Sequence, residues 1–312
     1  IMELVDEFPP VGESEIEDSQ KFIVELLGVV LAATLTWALF RIATSGIIDD
    51  PGSISFNLSY MVLAPVVFLG PMMYYWTKHR GEEGLPVRIL LDGSPQETFT
   101  QRFFLSMAAI GFSITLFHLL LELISQLIIL NSGIYGDTEF NFSWMEKTNS
   151  FVAYIVLVIT HLAVVATVEE IFFRGFVQDQ LSRVLQTWQS VLISAGIFAM
   201  THLPIAIFVL EIEGYQLITS LINWFGYGLM AGYLYHITRN IWVVVFWHGI
   251  WNVTVSTVSW SFMVMKFPNP EFETFVWILQ AVSINAIVIS SIFMMRDYLS
   301  RFGKLQGDAV ES

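Results

Sequence analysis

The stretch Val168-Glu-Glu-Ile-Phe-Phe-Arg174 places two adjacent carboxylates and a guanidinium at the end of an apolar run that begins near Phe151. Charged side chains inside or at the edge of hydrocarbon are costly unless paired, so they are candidates for function. On a helix, Glu170 and Arg174 are four residues apart and can form an ion pair. Glu169 projects about 100° away from Glu170, which predicts that the two acids do not share a partner. A plain cluster of charges at the membrane interface fits the same seven residues, so the rest of the chain must decide.

The composition of the whole chain is that of a polytopic membrane protein. Of its 312 residues, 55% are hydrophobic and only 13% are charged, with a mean hydropathy of +0.64, whereas a soluble chain carries roughly a quarter charged residues. The absence of cysteine excludes disulfides, thiol chemistry and cysteine-ligated metals. The net charge of −14 argues against a nucleic-acid partner.

Eight apolar segments are long enough to cross a bilayer, which requires about 20 residues each. They lie at residues 22–43, 56–76, 103–130, 150–171, 189–210, 215–236, 241–263 and 273–295. The sequence therefore predicts an all-α fold, an eight-transmembrane-helix bundle. Residues 168–185 alternate apolar and polar side chains at helical spacing and predict an interfacial amphipathic helix beyond the fourth span. Residues 77–101 and 131–149 are predicted to be the two long loops.

The division of the chain follows from these spans. We expect an acidic cytoplasmic tail at 1–21, a single transmembrane domain at 22–297 with its motif core at 150–256, and a second cytoplasmic tail at 298–312. With the N-terminus inside, 11 of the 14 Lys and Arg residues fall on the cytoplasmic side and 3 on the other. Both termini are therefore predicted to be cytoplasmic, and the motifs lie in the cytoplasmic half of the membrane.

Two further motifs belong with the Glu-Glu stretch. Phe198 and His202 are four residues apart in the fifth span, and His248 and Asn252 are four apart in the seventh, so each pair shares a helix face. A lone intramembrane histidine most often makes a hydrogen bond between helices. That is our expectation for three others, which are His118, His161 and His236.

The combined set of polar groups favours hydrolysis by activated water. No serine, threonine or cysteine stands in an evident nucleophile setting, so a covalent intermediate is not indicated. A carboxylate can activate water as a general base. His248 and Asn252 could bind a developing oxyanion. A metal site is the rival chemistry, because imidazoles and carboxylates also bind zinc or iron. Against it, no His-Glu-x-x-His motif is present, and Arg174 competes with a cation for the carboxylate.

The three motifs, taken in order, resemble the signature of the CPBP family, the CAAX proteases and bacteriocin-processing enzymes, and in particular its Rce1-like members. Glu-Glu-x-x-x-Arg corresponds to Glu169, Glu170 and Arg174, Phe-x-x-x-His to Phe198 and His202, and His-x-x-x-Asn to His248 and Asn252. The segments Gly226–Gly232 and Arg239–Trp242 are also similar to members of the family. The resemblance covers about residues 150–256.

The resemblance implies a glutamate-dependent intramembrane endopeptidase. It implies that Glu169 activates water, His202 holds that water, His248 and Asn252 form the oxyanion hole, and Glu170 with Arg174 braces the site. No cofactor is implied by this mechanism, although a metal-dependent version stays open. The expected partners are membrane lipids and a membrane-associated peptide or protein substrate, prenylated if the Rce1-type specificity holds.

Two other classes of function remain. A catalytically silent membrane scaffold or immunity-type protein of the same fold would keep its function without Glu169. A proton- or cation-coupled transporter would use intramembrane carboxylates too, but transporters usually contain repeated halves, and the sequence shows no internal repeat.

Overall fold

The computed structural model describes residues 13–44, 53–78, 101–132, 139–144, 150–263 and 269–300. Each of the eight predicted spans corresponds to a helix. In chain order these helices are α1 (Glu13–Thr44), α2 (Ile54–Lys78), α3 (Gln101–Asn131), α4 (Phe151–Leu181), α5 (Thr187–Phe208), α6 (Gly214–Thr238), α7 (Ile241–Thr257) and α8 (Pro270–Met294). A short helix, α9 (Arg296–Leu299), follows α8.

The described helices confirm an all-α polytopic membrane protein. Six of them, α1 to α5 and α8, are long and apolar enough to cross a membrane within the described residues, and α7 is apolar but shorter. Large apolar side chains remain exposed along the outer faces, for example Val24, Leu39, Leu105 and Phe112. An exposed apolar surface of this extent is suited to lipid rather than water.

Local signals explain where several helices begin. The Ser53 and Ser150 hydroxyls accept hydrogen bonds from the backbone N–H groups of Phe56 and Ala153, which caps α2 and α4. Asn269 caps α8 in the same way, and Pro270 occupies the first helical position, where its missing N–H costs nothing. α1 begins at Glu13 rather than at residue 22, so it includes part of the predicted acidic tail. Residues 1–12, 79–100 and 301–312, which hold the rest of both predicted tails and most of the first long loop, lie outside the described residues.

A short antiparallel pair of strands replaces part of the second predicted loop. Strand β1 (Glu139–Trp144) pairs with β2 (Val258–Met263), with Glu139 opposite Met263 and Trp144 opposite Val258. The seventh span was predicted to continue as helix to residue 263, which is wrong, because α7 ends at Thr257. The sequence around this end is rich in Val, Thr and Ser, and β-branched residues favour strands once a partner strand is available.

The predicted interfacial helix at 168–185 is also wrong. Residues 171–178 continue α4 directly and all of them are buried, including Arg174 and Gln178. Both polar side chains donate to backbone carbonyls of α6, Arg174 to Gly228 at 3.4 Å and Gln178 to Gly232 at 3.0 Å. The polar face of this segment is therefore satisfied by a neighbouring helix and not by the interface.

Glycine permits close packing of helices because it places no side chain between them, and at Gly232 a Cβ would lie 2.7 Å from Gln178 Oε1. A Cβ at Gly228 would lie 2.8 Å from the Cα of Ala195 in α5, which is backbone and cannot move aside cheaply. At Gly111 in α3, a Cβ would lie 2.9 Å from the Cα of Trp247 in α7. Small residues thus allow the close helix spacing that is typical of membrane bundles. The helices α6 and α7 form part of the wall of the central site.

Candidate active site

A cavity of about 420 Å³ lies inside the bundle and is lined by residues of helices α1 to α7. Its titratable and amide-bearing lining residues are His118, Glu122, His161, Glu169, His202, Asn223, His248 and Asn252. Aromatic side chains from five helices form much of the remaining wall. They are Trp37, Tyr60, Phe198, Trp224, Tyr227 and Trp251. The cavity is thus a polar chamber with apolar walls, the usual composition of a small-molecule or peptide site.

The six residues predicted to form the site fall into two layers. Glu169, His202, His248 and Asn252 line the cavity directly. Glu170 and Arg174 lie behind this lining, and each is 0% exposed. The three motifs therefore meet at one place, although they come from α4, α5 and α7.

The local geometry of α4 separates the two acids. Glu169 and Glu170 lie in a five-residue α-helical stretch, Ala166–Glu170, between two π-helical stretches, Thr160–Val165 and Ile171–Gln178. A π-helical turn is wider than an α-helical one and occurs frequently at functional sites. In this part of α4 the two acidic side chains point in different directions. Glu169 lines the cavity, and Glu170 is packed away from it.

Glu170 and Arg174 form the predicted ion pair. The Arg174 guanidinium contacts both carboxylate oxygens, with Nη1 at 3.3 Å from Oε1 and Nε at 3.2 Å from Oε2. The guanidinium also lies over the ring of Phe198, 4.7 Å from its centre. A buried carboxylate needs such a partner, because an unpaired charge in this position would be strongly destabilising.

His248 connects the two acids. Its Nδ1 lies 2.6 Å from Glu170 Oε1, and its Nε2 lies 3.8 Å from Glu169 Oε2. The expectation that the two acids have no common partner is therefore wrong, because an imidazole presents one nitrogen to each. Since a carboxylate paired with Arg174 accepts hydrogen bonds, the Nδ1 proton of His248 points to Glu170, which fixes the ring and directs Nε2 towards Glu169.

His202 is fixed by its own helix and by α6. Its Nδ1 is 2.8 Å from the carbonyl oxygen of Phe198, so Nδ1 donates and Nε2 is left for the cavity. The ring stacks on Trp224, with 5.0 Å between the ring centres. The phenylalanine of the Phe-x-x-x-His motif thus has a backbone role, since Phe198 supplies this carbonyl, and its ring also packs against Arg174.

Some donor groups of the site are already engaged with protein partners. Within the described part of the chain, no group of three or more His, Asp or Glu side chains is arranged to hold an ion. Glu170 is already occupied by Arg174 and His248.

Several lining residues were missed by sequence reasoning. Tyr227 stacks on Trp247 with 4.5 Å between ring centres, and its ring also packs against His248 with 5.0 Å between ring centres. Tyrosine is common in apolar helices, and no spacing rule marks this one. His161 and His118 were expected to hydrogen-bond between helices, but Nδ1 of each has no hydrogen-bond partner among the described residues. Both line the cavity instead.

The comparison with family models agrees with the geometry. Residues 149–254 match the family model described as Type II CAAX prenyl endopeptidase Rce1-like. No curated protein and no solved structure gives a significant match to the chain. The matched residues include all three motifs, which lie on α4, α5 and α7. Residues 149–254, about a third of the chain, are therefore similar to the Rce1-like domain of type II CAAX prenyl endopeptidases.

Proposed function

We propose that the protein is an intramembrane endopeptidase in which Glu169 activates a water molecule for attack on an amide bond. The single observation that carries this proposal is the arrangement of His248 between Glu170 at 2.6 Å and Glu169 at 3.8 Å. It leaves Glu169 on the cavity wall as a base, while Glu170 is committed to positioning. This division of labour between two neighbouring acids is typical of acid–base catalysis.

The proposed reaction proceeds through a tetrahedral intermediate. Glu169 takes a proton from water, and the resulting hydroxide adds to the carbonyl carbon of the substrate amide. His202 Nε2 helps to hold the water. The carbonyl oxygen, now negative, accepts hydrogen bonds from Nε2 of His248 and from the Asn252 amide. The carbon–nitrogen bond then breaks, and the proton on Glu169 passes to the leaving nitrogen, which yields a free acid and a free amine.

The role of His248 requires protons on both ring nitrogens. Nδ1 donates to Glu170, and Nε2 must donate to the oxyanion. Nδ1 has its acceptor in Glu170 Oε1 at 2.6 Å, whereas Nε2 lies 3.8 Å from Glu169 Oε2, which is beyond hydrogen-bond distance and leaves this nitrogen available to the oxyanion. Arg174 supports this arrangement from behind, because it pairs with Glu170 and keeps that carboxylate as a hydrogen-bond acceptor.

The direct test is cleavage of a fluorogenic prenylated CAAX peptide by the purified protein in detergent. We expect Glu169→Ala and Glu169→Gln to reduce kcat by about 100-fold or more, because a general base contributes about 10²–10⁴. Glu25→Gln is the matched control, since this acid pairs with Lys78 and does not line the cavity. Unchanged cleavage by Glu169→Ala would refute the assigned base.

Two further outcomes separate the alternatives. Loss of activity with EDTA and its recovery with zinc would refute the metal-independent mechanism and favour the metal-dependent version. If the wild-type protein cleaves no peptide while a biological function survives Glu169→Ala, the silent scaffold replaces the protease.

A further inference from the structure

A second acidic residue faces the same cavity from α3. Glu122 is the one acid in the apolar sequence from residue 103 to residue 131. Thr115, His118, Glu122 and Ser125 are spaced three, four and three residues apart, so they form one polar face of the helix. Thr115 and His118 are 2% and 6% exposed, while Leu116 and Leu120 on the other face are exposed to the outside. The polar face is thus turned into the bundle.

Glu122 lies where two cavities meet. His118, Glu122 and Asn223 line both the catalytic cavity and a second cavity of about 200 Å³ between α3, α6 and α8. The far wall of the second cavity includes Trp277 and Gln280, and Gln280 donates to Ser125 at 2.6 Å. Glu122 lies in the wall that the two cavities share. A group bound in either cavity can therefore reach its carboxylate.

The carboxylate of Glu122 has no adequate charge partner in the described residues. Its nearest charge contact is His118 Nε2 at 3.8 Å, which is too long for a hydrogen bond, and 32% of its side chain is exposed. None of the described residues that line either cavity is Lys or Arg. A carboxylate at this depth is costly and is retained in membrane proteins for function. The proposed hydrolysis does not use it, because Glu169 already supplies the base.

A second observation also points to a ligand at this position. His118 is 6% exposed, yet its Nδ1 has no hydrogen-bond partner in the described part of the chain. Its ring lies against Trp251 with 4.5 Å between ring centres. A buried nitrogen without a partner lies beside a carboxylate whose one charge contact among the described residues is 3.8 Å long, so both groups have capacity left for a ligand. The aromatic wall beside it suits a cation, since cations bind over aromatic rings.

We propose that Glu122, with His118 and Asn223, forms a subsite that binds a cationic side chain, lysine or arginine, of the substrate peptide. This inference rests on the proposed function, because it concerns a peptide held with its scissile amide near Glu169. The Glu122 carboxylate and the Asn223 side-chain oxygen accept hydrogen bonds from the cation, and Trp251 packs over it. A free carboxylate of the substrate would find no Lys or Arg here among the described lining residues.

The experiment measures binding first and cleavage second. Prenylated peptides are made with lysine, norleucine or glutamate at each of the three positions after the prenylated cysteine, with the scissile amide N-methylated. Kd is followed by intrinsic tryptophan fluorescence, because Trp224 and Trp251 line the cavity. At one position we expect lysine to bind about tenfold more tightly than norleucine, and glutamate more weakly than either.

The variants decide whether Glu122 is the cause. Glu122→Gln should bring the ratio of the lysine and norleucine Kd values close to one, while the norleucine Kd itself changes by less than about twofold. Glu122→Asp should keep part of the preference, which shows that a folded carboxylate variant still selects charge. Glu25→Gln is the matched control and should keep the full preference, since Glu25 lies outside both cavities.

Three results would overturn the subsite. These are no lysine preference at any position, a preference that survives in Glu122→Gln, and an equal loss of binding for all peptides in Glu122→Gln. Failure of the proposed protease function is distinguishable from these results. Selective binding of the lysine peptide without cleavage of its unmethylated form would leave the subsite standing and reject proteolysis. Cleavage of the peptides without any charge preference would support proteolysis and reject the subsite.

Discussion

Replacing Arg174 with methionine should lower the free energy of unfolding by about 3–5 kcal/mol, the cost of leaving one partner of a buried ion pair alone. The side chains of Arg174 and Glu170 are 1% and 0% exposed, so water cannot replace the lost cation. Methionine keeps an unbranched stem of similar length against Phe198, so the change removes mainly the charge. The assay is unfolding of the purified protein in dodecylmaltoside with increasing SDS, followed by circular dichroism.

A double-mutant cycle makes the argument quantitative. Glu170→Gln alone should cost a similar amount, about 3–5 kcal/mol, because the buried Arg174 loses its counter-charge and the hydrogen bond with His248 weakens. The double variant with Arg174→Met should lose less than the sum of the single changes, by about 2 kcal/mol. The control is Arg296→Met, whose partner Asp297 is 88% exposed. We expect it to cost about 0.5 kcal/mol or less.

Two outcomes would refute this reasoning. Additive losses in the cycle would show that Glu170 and Arg174 do not stabilise one another. An Arg174→Met variant as stable as Arg296→Met would show that the carboxylate has another way to be satisfied. Either result would also weaken the mechanism, because the position of His248 depends on Glu170 as a fixed acceptor.

Three further predictions test other parts of the structure. Gly228→Ala should destabilise the protein by about 1–3 kcal/mol through overpacking. Gly196→Ala is the control and should cause no such loss, because a Cβ there meets nothing within 4 Å. Thermal unfolding of the two variants measures the difference. Asn252→Ala should lower kcat by about 10²–10³ with little change in KM if the amide binds the oxyanion; an effect on KM alone would contradict that role. The chain has no cysteine, so single cysteines can report its orientation. A cysteine introduced at the exposed Asp297 should react with an impermeant maleimide from the cytoplasmic side only, and a cysteine at Glu213 from the opposite side only. The reverse pattern would contradict the predicted orientation.

The fold class was readable from the sequence because it depends on composition. Each span is a long run of apolar residues, and in hydrocarbon the backbone of such a run must form a helix to satisfy its own N–H and C=O groups. The pairing of Glu170 with Arg174 was also readable, since both lie on one helix four residues apart. The motif residues of α5 and α7 were identified by the same rule of spacing.

The partners of polar side chains that contact another helix could not be predicted from the sequence. Periodicity marked Arg174 and Gln178 as a polar face and predicted a helix at the interface, but it cannot distinguish water from backbone carbonyls. Those carbonyls belong to Gly228 and Gly232, 54 residues further along the chain in each case. Only the packing of α6 against α4 brings them within reach.

Glu122 shows what sequence reasoning could have found and did not. A single acid four residues after a histidine in a predicted span is a signal for function by the same argument that selected Glu169. The three-motif pattern directed attention to α4, α5 and α7, and α3 was treated as a plain span. Its relation to the catalytic cavity follows from the close contact of Gly111 with Trp247.

The sequence by itself determined that the chain is a helical membrane protein and which residue types carry its chemistry, because these properties depend on composition and on spacing within one helix. The tertiary structure decided that Glu169 faces the cavity while Glu170 is buried behind it, that His248 lies between the two acids, and that Glu122 lines the same cavity from α3. These relations are distances between separate helices. They are set by side-chain packing across the bundle, which no local pattern encodes.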